Sequence, residues 1–150
     1  MSKFTPTVAW HLQQGEEFSE AEYSRDHEWT FPGGEVVPAS AAPVYGGSTT
    51  RVNPDEAVVA ALSSCHMLTF LAIAAKNKLK VLSYIDRAEG TVEENDEGRM
   101  AITHAVLRPR VVFETEVDYD KLKRLHDAAH RNCFVANSLS TPIDIEPVTD

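Results

Sequence analysis

Hydrophobic and polar positions alternate near the start of the chain, in the pattern of half-buried strands. Val8, Trp10 and Leu12 occupy every second position and predict a first strand. Residues 18–23 and 28–31 predict two further strands, and the Pro-Gly-Gly sequence at 32–34 predicts a turn after them. Residues 38–50 contain Gly46-Gly47 and show little periodicity, so a loop is predicted there.

The longest apolar run covers residues 58–75 and predicts a helix. Its start is well marked, because Asn53 is a suitable N-cap and Pro54 suits the first helical position. Glu56 stands three residues after Asn53, as in a capping box. The helix is predicted to reach about Ala75. Since it is apolar on nearly every face, it is expected to be central and buried.

The second half of the chain predicts strands, then a helix, then a last strand. Strands are predicted over 84–92 and 99–116, with the turn-forming residues 93–98 between them. A second helix is predicted to begin at Asp118 or Tyr119, and its buried stripe holds Leu122, Leu125 and Ala129. A short helix over 133–139 and a strand at 143–145 follow. The order of elements predicts one α+β domain over residues 1–150.

Composition narrows the class of protein. The chain has 150 residues, a formal net charge of -9 and a pI near 5.1, which argues against binding nucleic acid or anionic membrane surfaces. The 18-residue apolar run is long enough for a membrane span, but it contains polar residues and no second such run exists. A buried helix is therefore favoured. Two cysteines without a signal-like start predict a reducing, cytoplasmic location.

The chain contains only two cysteines, Cys65 and Cys133. Taken alone, Cys65 is favoured to be a small core residue, because free cysteine is among the most buried residue types. It lies 12 positions beyond Asn53, too far for the helix N-terminus to lower its pKa. Activation of the thiol is therefore expected to need a cation, and the candidates are Arg25, Arg51, Arg110, Arg131 and His66.

Three segments resemble the active-site segments of the OsmC/Ohr family of hydroperoxide reductases. The first is Asn-Pro-Asp-Glu-Ala at 53–57, followed by Ala-Ala-Leu-Ser-Ser-Cys-His at 60–66. The others are Ser-Arg-Asp-His at 24–27 and Asn-Cys-Phe-Val-Ala-Asn-Ser-Leu at 132–139. All three occur in the family's order. The resemblance implies antiparallel sheets around a long buried central helix in an intertwined homodimer.

The resemblance also implies roles for individual residues. It makes Cys65 the peroxidatic cysteine, Cys133 the resolving cysteine and Arg25 the arginine that holds the thiolate and orients the peroxide. Asp55 follows Asn-Pro, where the family generally has glutamate as the partner of that arginine, and Glu56 is the alternative. The arginine's neighbours also differ, since serine and aspartate replace the family's usual glycines. About 15 Å of helix separates Asp55 from Cys65, so the arginine has to bridge them, or the acid comes from a partner chain or from a non-helical start of the segment.

The expected activity is the reduction of organic hydroperoxides, and less efficiently of hydrogen peroxide, to alcohols. A Cys65 sulfenic acid and a Cys65–Cys133 disulfide are the intermediates, and a dithiol of the lipoyl or thioredoxin type reduces the disulfide. No cofactor, metal, nucleic acid or membrane takes part. The apolar residues Met67, Leu68 and Phe70 favour an organic substrate, although a core role is favoured for most of them.

Two alternatives stay open from the sequence. His126 and His130 stand four positions apart, as zinc ligands do in some hydrolases, although solvent-facing or capping roles are favoured for them. The second alternative is a non-enzymatic stress or ligand-binding homodimer in which both thiols are merely buried. Asp55 and Glu56 are likewise consistent with simple capping of a helix start.

Overall fold

The computed structural model describes all 150 residues and divides the chain into two compact units, residues 1–57 and 58–150. The first unit holds strands β1 (Thr7–Ala9), β2 (His27–Thr30) and β3 (Val36–Ala39) and the 3₁₀ helix Pro43–Tyr45. The helix α1 spans Pro54–Lys76. The second unit continues with β4 (Val81–Asp86), β5 (Glu89–Glu94), β6 (Met100–Leu107), β7 (Pro109–Phe113), α2 (Tyr119–Asn132), a 3₁₀ helix (Ala136–Ser138) and β8 (Ile143–Ile145). The predicted α+β class is confirmed.

The first unit is built on an antiparallel sheet in the order β1-β2-β3. The strand predicted over 18–23 is absent, because Ser19 begins a turn in which its carbonyl accepts N–H groups from residues 22 and 23. The loop predicted over 38–50 is also wrong at its start, where β3 pairs with β2. Pro38 obscures that strand in the sequence, and it is tolerated because β3 is an edge strand.

The start of α1 has the predicted capping box. The Glu56 N–H donates to Asn53 Oδ1 at 3.0 Å, and the Asn53 N–H donates to Glu56 Oε1 at 2.8 Å. The helix ends at Lys76, one residue after the predicted end, and Lys78 then takes a positive φ of 57°. These local signals determine the bounds of the helix because they satisfy backbone groups that lack partners within the helix itself.

The predicted burial of α1 on nearly every face is wrong within this chain. Only Leu62, His66, Phe70 and Ala74 are buried, and their spacing of four residues makes one stripe along the helix. Leu68, on another face, is 60% exposed. By length and composition α1 could cross a membrane, with a mean hydropathy of 1.9 over 18 residues, but one such helix is weak evidence for a membrane protein.

The second unit contains two small sheets. Strands β4 and β7 pair antiparallel, and the other sheet has the order β5-β6-β8, with β5–β6 antiparallel and β6–β8 parallel. The two long predicted strands are each divided in two. One cause of both divisions is a hydrogen bond between the two break points. The Arg108 N–H, between β6 and β7, donates to Oδ1 of Asp86, the last residue of β4, at 2.6 Å. The predicted hairpin turn is confirmed, with Gly98 at a φ of 73°.

The helix α2 begins where the sequence predicts. Asp118 is its N-cap, and its side chain accepts the Lys121 N–H at 2.8 Å. The predicted stripe is buried, and with α1 it forms a core cluster of Phe70, Ala74, Leu122, Leu125 and Ala129. A second cluster holds Leu62, Ala105, Leu107 and Cys133. This second cluster places both cysteines in the same region of the molecule.

Candidate functional site: the Cys65–Cys133 pair

Cys65 lies at the edge of the buried stripe of α1. His66, the next residue, is buried in that stripe, and one residue turns a helix by about 100°. Cys65 is consequently half-buried and packs against the cluster that contains Leu62 and Cys133. The Thr69 hydroxyl, one turn further along, donates to the Cys65 carbonyl oxygen at 2.9 Å. The thiol is thus held on a rigid helix and is still partly open to solvent.

Cys133 lies directly after α2 and is fully buried. Its N–H donates to the His130 carbonyl at 3.3 Å, and its carbonyl accepts the Asn137 N–H at 3.0 Å. The Ala136 N–H points to its sulfur, with a nitrogen-to-sulfur distance of 3.4 Å. The short helix predicted over 133–139 is a turn followed by one 3₁₀ turn, Ala136–Ser138. This tight turn aims a backbone N–H group at the Cys133 sulfur.

The pKa values of the two thiols move in opposite directions. Burial raises the pKa of Cys65, but the Val135 N–H, the Cys133 thiol and the Phe134 N–H favour the thiolate and together lower it. Burial raises the pKa of Cys133, and the contact with Cys65 raises it further. The hydrogen bond from the Ala136 N–H has the opposite effect but is outweighed. Cys65 therefore ionises first, while Cys133 keeps its proton.

The groups that lower the pKa of Cys65 are backbone N–H groups and the neighbouring Cys133 thiol, and no cation is among them. The sequence led to the expectation that a cation activates this thiol, and that role stays a prediction. Two of the candidate cations are engaged elsewhere, since Arg51 pairs with Asp26 at 3.3 Å and Arg110 pairs with Asp150. A thiol of lowered pKa that is partly accessible and in contact with a second cysteine has the arrangement of a reversible redox pair.

Comparison with known proteins places the chain in a family. The sequence model described as "OsmC-like protein" matches residues 46–148, more than half of the chain. The chain belongs to the OsmC family. None of the curated proteins matches its sequence.

Solved structures support the same placement. An OsmC-like protein of unknown function from Vibrio cholerae is 43% identical, with a TM-score of 0.95 over 99% of this chain and 100% of that one. Organic hydroperoxide resistance proteins from Elizabethkingia anophelis and Bacillus subtilis are each 15% identical. Their TM-scores are 0.74 and 0.72, covering 98% of this chain in both cases and 94% and 98% of theirs. At that identity the two resistance proteins show a shared fold.

Arg25 of this OsmC-family chain lies in the first unit and is half-buried. Its guanidinium stacks over the Tyr23 ring at 3.9 Å and donates to the carbonyls of Tyr23 and Glu20, at 2.5 and 2.8 Å. Gly46, with a φ of 78°, lies under it, and a Cβ there would be 3.4 Å from the Arg25 Cζ. The position needs glycine because its φ is one that side chains rarely adopt.

The two candidate acids differ in their contacts. Glu56 is occupied by the capping box, which is the structural role that the sequence also allowed for it. Asp55 is half-buried and makes no ion pair. Neither carboxylate is paired with Arg25, whose hydrogen bonds go to backbone carbonyls. The roles of Arg25, Asp55 and Glu56 in catalysis stay predictions.

An aromatic cavity in the first unit was not predicted from the sequence. Its volume is about 580 Å³, and its walls include Val8, Trp10, Phe18, Tyr23, Arg25 and His27. The rings of Trp10, Phe18 and Tyr23 have centroids 5.3 to 6.3 Å apart. The only sequence signal is the presence of three aromatic residues within 14 positions. Phe70, considered for a substrate role, is instead fully buried in the core.

His126 does not support the zinc alternative. It is buried, contrary to the solvent-facing role favoured for it, and its Nδ1 lies 2.9 Å from His66 Nε2. The two rings stack with centroids 5.2 Å apart. His130 is half-buried, and no group of three metal-ligating side chains converges anywhere in the chain. The spacing of four residues therefore reflects the packing of α2 against α1.

Proposed function

We propose that this protein is a thiol peroxidase that reduces organic hydroperoxides to alcohols. The observation that carries the proposal is the contact between Cys65, with a lowered pKa, and the buried Cys133, with a raised pKa. A nucleophilic thiolate beside a protonated thiol is the pair that a two-cysteine peroxidase requires. The OsmC-like fold agrees with this activity.

The proposed reaction has three steps. The Cys65 thiolate attacks the distal peroxide oxygen, the O–O bond breaks, and the alcohol leaves after taking up a proton. Cys133 then attacks the Cys65 sulfenic acid, and water leaves as the disulfide forms. A dithiol of the lipoyl or thioredoxin type reduces the disulfide and releases both thiols. The reducing conditions of the cytoplasm suit a disulfide that forms only during turnover.

The preference for an organic peroxide rests on the apolar surroundings of Cys65, which packs against the cluster that contains Leu62 and Leu107. Apolar surroundings favour a ligand with an apolar body, because burying that body releases water from both surfaces. Hydrogen peroxide has no apolar body to bury.

A coupled peroxidase assay tests the function. We expect purified protein to consume cumene and tert-butyl hydroperoxides faster than hydrogen peroxide when a dithiol is supplied. Dihydrolipoamide and reduced thioredoxin, compared at equal concentration, identify the type of reductant. If none of the three peroxides is consumed above background and none yields the Cys65–Cys133 disulfide, the proposal is wrong. A non-enzymatic binding protein would then be the better description.

The same assay tests Arg25. If its guanidinium orients the peroxide, Arg25→Ala is expected to lower kcat/KM by roughly tenfold or more, and Arg25→Lys to lower it less, because lysine keeps the charge but not the planar fork. Thermal unfolding of both variants separates this effect from damage to the contacts with Tyr23 and Gly46. Undiminished consumption by Arg25→Ala would remove the residue from the mechanism.

We also propose a homodimer in which a second copy covers the apolar surface of α1. Leu68 on this helix is 60% exposed, and Ala61 and Ala72 on the same face are exposed too, with Ser64 between Ala61 and Leu68. Soluble proteins seldom leave such a largely apolar face uncovered. The expected result is a dimer in sedimentation that Leu68→Asp converts to monomer. Leu82→Asp is the control, since Leu82 is 58% exposed but lies on β4. A monomeric wild type would contradict the proposal.

A further inference from the structure

The two sulfurs of the redox pair differ in access. Cys133 has no exposed surface and is enclosed by Leu62, Ala105 and Leu107. This burial comes from the chain's own residues, so the approach of another protein does not remove it. Cys65 lies at the edge of the same cluster, and the chain's own residues leave part of its surface uncovered.

The turn around Cys133 is also closed by hydrogen bonds. Its backbone is bonded to His130 on one side and to Asn137 on the other. The Asn137 side chain adds a bond to the Arg131 carbonyl at 3.3 Å, which ties the turn to the end of α2. Exposing the Cys133 sulfur therefore requires several of these bonds to break together.

We propose that the dithiol reductant attacks the Cys65 sulfur, so that the mixed disulfide forms at Cys65 and Cys133 is the leaving group. This inference rests on the proposed function, because it concerns the reduction of the disulfide that the proposed reaction forms.

The step balances as an ordinary thiol–disulfide exchange. A reductant thiolate forms a bond to the Cys65 sulfur while the bond between Cys65 and Cys133 breaks. The electron pair leaves with the Cys133 sulfur, which takes up a proton. The second thiolate of the reductant then attacks its own first sulfur and releases Cys65 as thiolate. Two electrons pass from the dithiol to the protein, and the reductant leaves as a disulfide.

Leaving-group chemistry alone favours the opposite site. The thiol with the lower pKa leaves faster, and hydrogen bonds lower the pKa of Cys65, whereas burial raises that of Cys133. Attack at Cys133 would expel the better leaving group. Access opposes it, because an enclosed sulfur reacts only in the small fraction of molecules whose turn has opened. The complete burial of Cys133 makes access the stronger of the two effects.

Mapping of the mixed disulfide tests the proposal. The wild-type protein is oxidised with diamide, so that the disulfide forms without any peroxide. It is then exposed briefly to 2-mercaptoethanol, quenched with acid, alkylated and digested with trypsin. Cleavage after Arg51, Lys76 and Arg131 places the two cysteines on separate peptides, residues 52–76 and 132–150. We expect roughly tenfold more mercaptoethanol adduct on peptide 52–76, with the alkyl group on 132–150.

The denatured protein is the matched control. When the same oxidised chain is treated in guanidinium chloride, both sulfurs are accessible and the preference for peptide 52–76 should be lost. An adduct divided equally between the peptides, or found chiefly on 132–150, in the native protein would overturn the inference. So would failure of diamide to join the two cysteines. If diamide forms the disulfide but peroxide does not, the proposed function fails while the point of attack can still be mapped.

Discussion

Replacing Cys65 with serine is expected to reduce peroxide consumption to the rate of the buffer. The reaction needs a thiolate, and serine in the same position is not ionised near neutral pH and cannot form a sulfenic acid. The substitution removes only the sulfur, at a half-buried site on a well-capped helix, so the fold should be retained. Consumption of cumene hydroperoxide and thermal unfolding are the two measurements.

Cys133→Ser is the matched comparison, because it removes the other sulfur. This variant is expected to consume about one equivalent of peroxide and then stop, with Cys65 trapped as a sulfenic acid that a dimedone-type reagent labels. Its first oxidation should be fast, since the backbone donors to Cys65 are retained. Two results would contradict the assigned roles: full turnover by Cys65→Ser, or unchanged turnover by Cys133→Ser with the same dithiol.

The sequence predicts the parts of the fold that local contacts determine. The start of α1 follows from Asn53 and Glu56, since both side chains act within one turn of the helix. The strand predicted over 18–23 does not form, because Ser19 begins a turn there. In the structure Phe18 and Tyr23 pack against Trp10 instead of lying on two faces of a sheet. Local pattern does not distinguish these arrangements.

The properties of the two cysteines could not be predicted from the local sequence, for a different reason. The two cysteines could be assigned roles only by resemblance, because 68 positions separate them and no periodicity connects them. The donors that lower the pKa of Cys65 include the N–H groups of Phe134 and Val135. Every residue except proline carries such a group, so the sequence contains no signal for it. What makes these two N–H groups effective is the turn after α2, which tertiary contacts hold in place.

The same limit applies to the buried histidines. The spacing of His126 and His130 indicated a possible site, whereas the actual partner of His126 is His66, 60 positions earlier. Their surroundings disfavour a positive charge. Burial lowers the pKa of His66 to about 4, with His130 lowering it further and Asp86 opposing. Burial lowers the pKa of His126 to about 3, with His66 lowering it further and Asp127 opposing. Both imidazoles are thus neutral in the folded protein near pH 7.

Stability is therefore expected to fall as the pH is lowered from about 7 to 5. The unfolded chain binds protons at both histidines near a pKa of about 6.5, and the folded chain does not until much lower pH, so protons favour unfolding. The loss amounts to about 2 kcal/mol for each histidine at pH 5, a large part of the 5–15 kcal/mol that stabilises a typical domain. Denaturant unfolding at several pH values above 5, where most carboxylates stay ionised, measures it.

Replacing both histidines isolates their contribution. The double variant His66→Leu/His126→Leu keeps the volume of the pair and removes both titrating groups, so its stability should change much less between pH 7 and 5. His11→Gln is the control, because His11 is exposed and its side chain makes no hydrogen bond. It should retain the full pH dependence. If the double variant does not fold, NMR titration of the wild-type imidazoles gives the answer instead, and protonation of both rings near pH 6.5 would contradict the prediction.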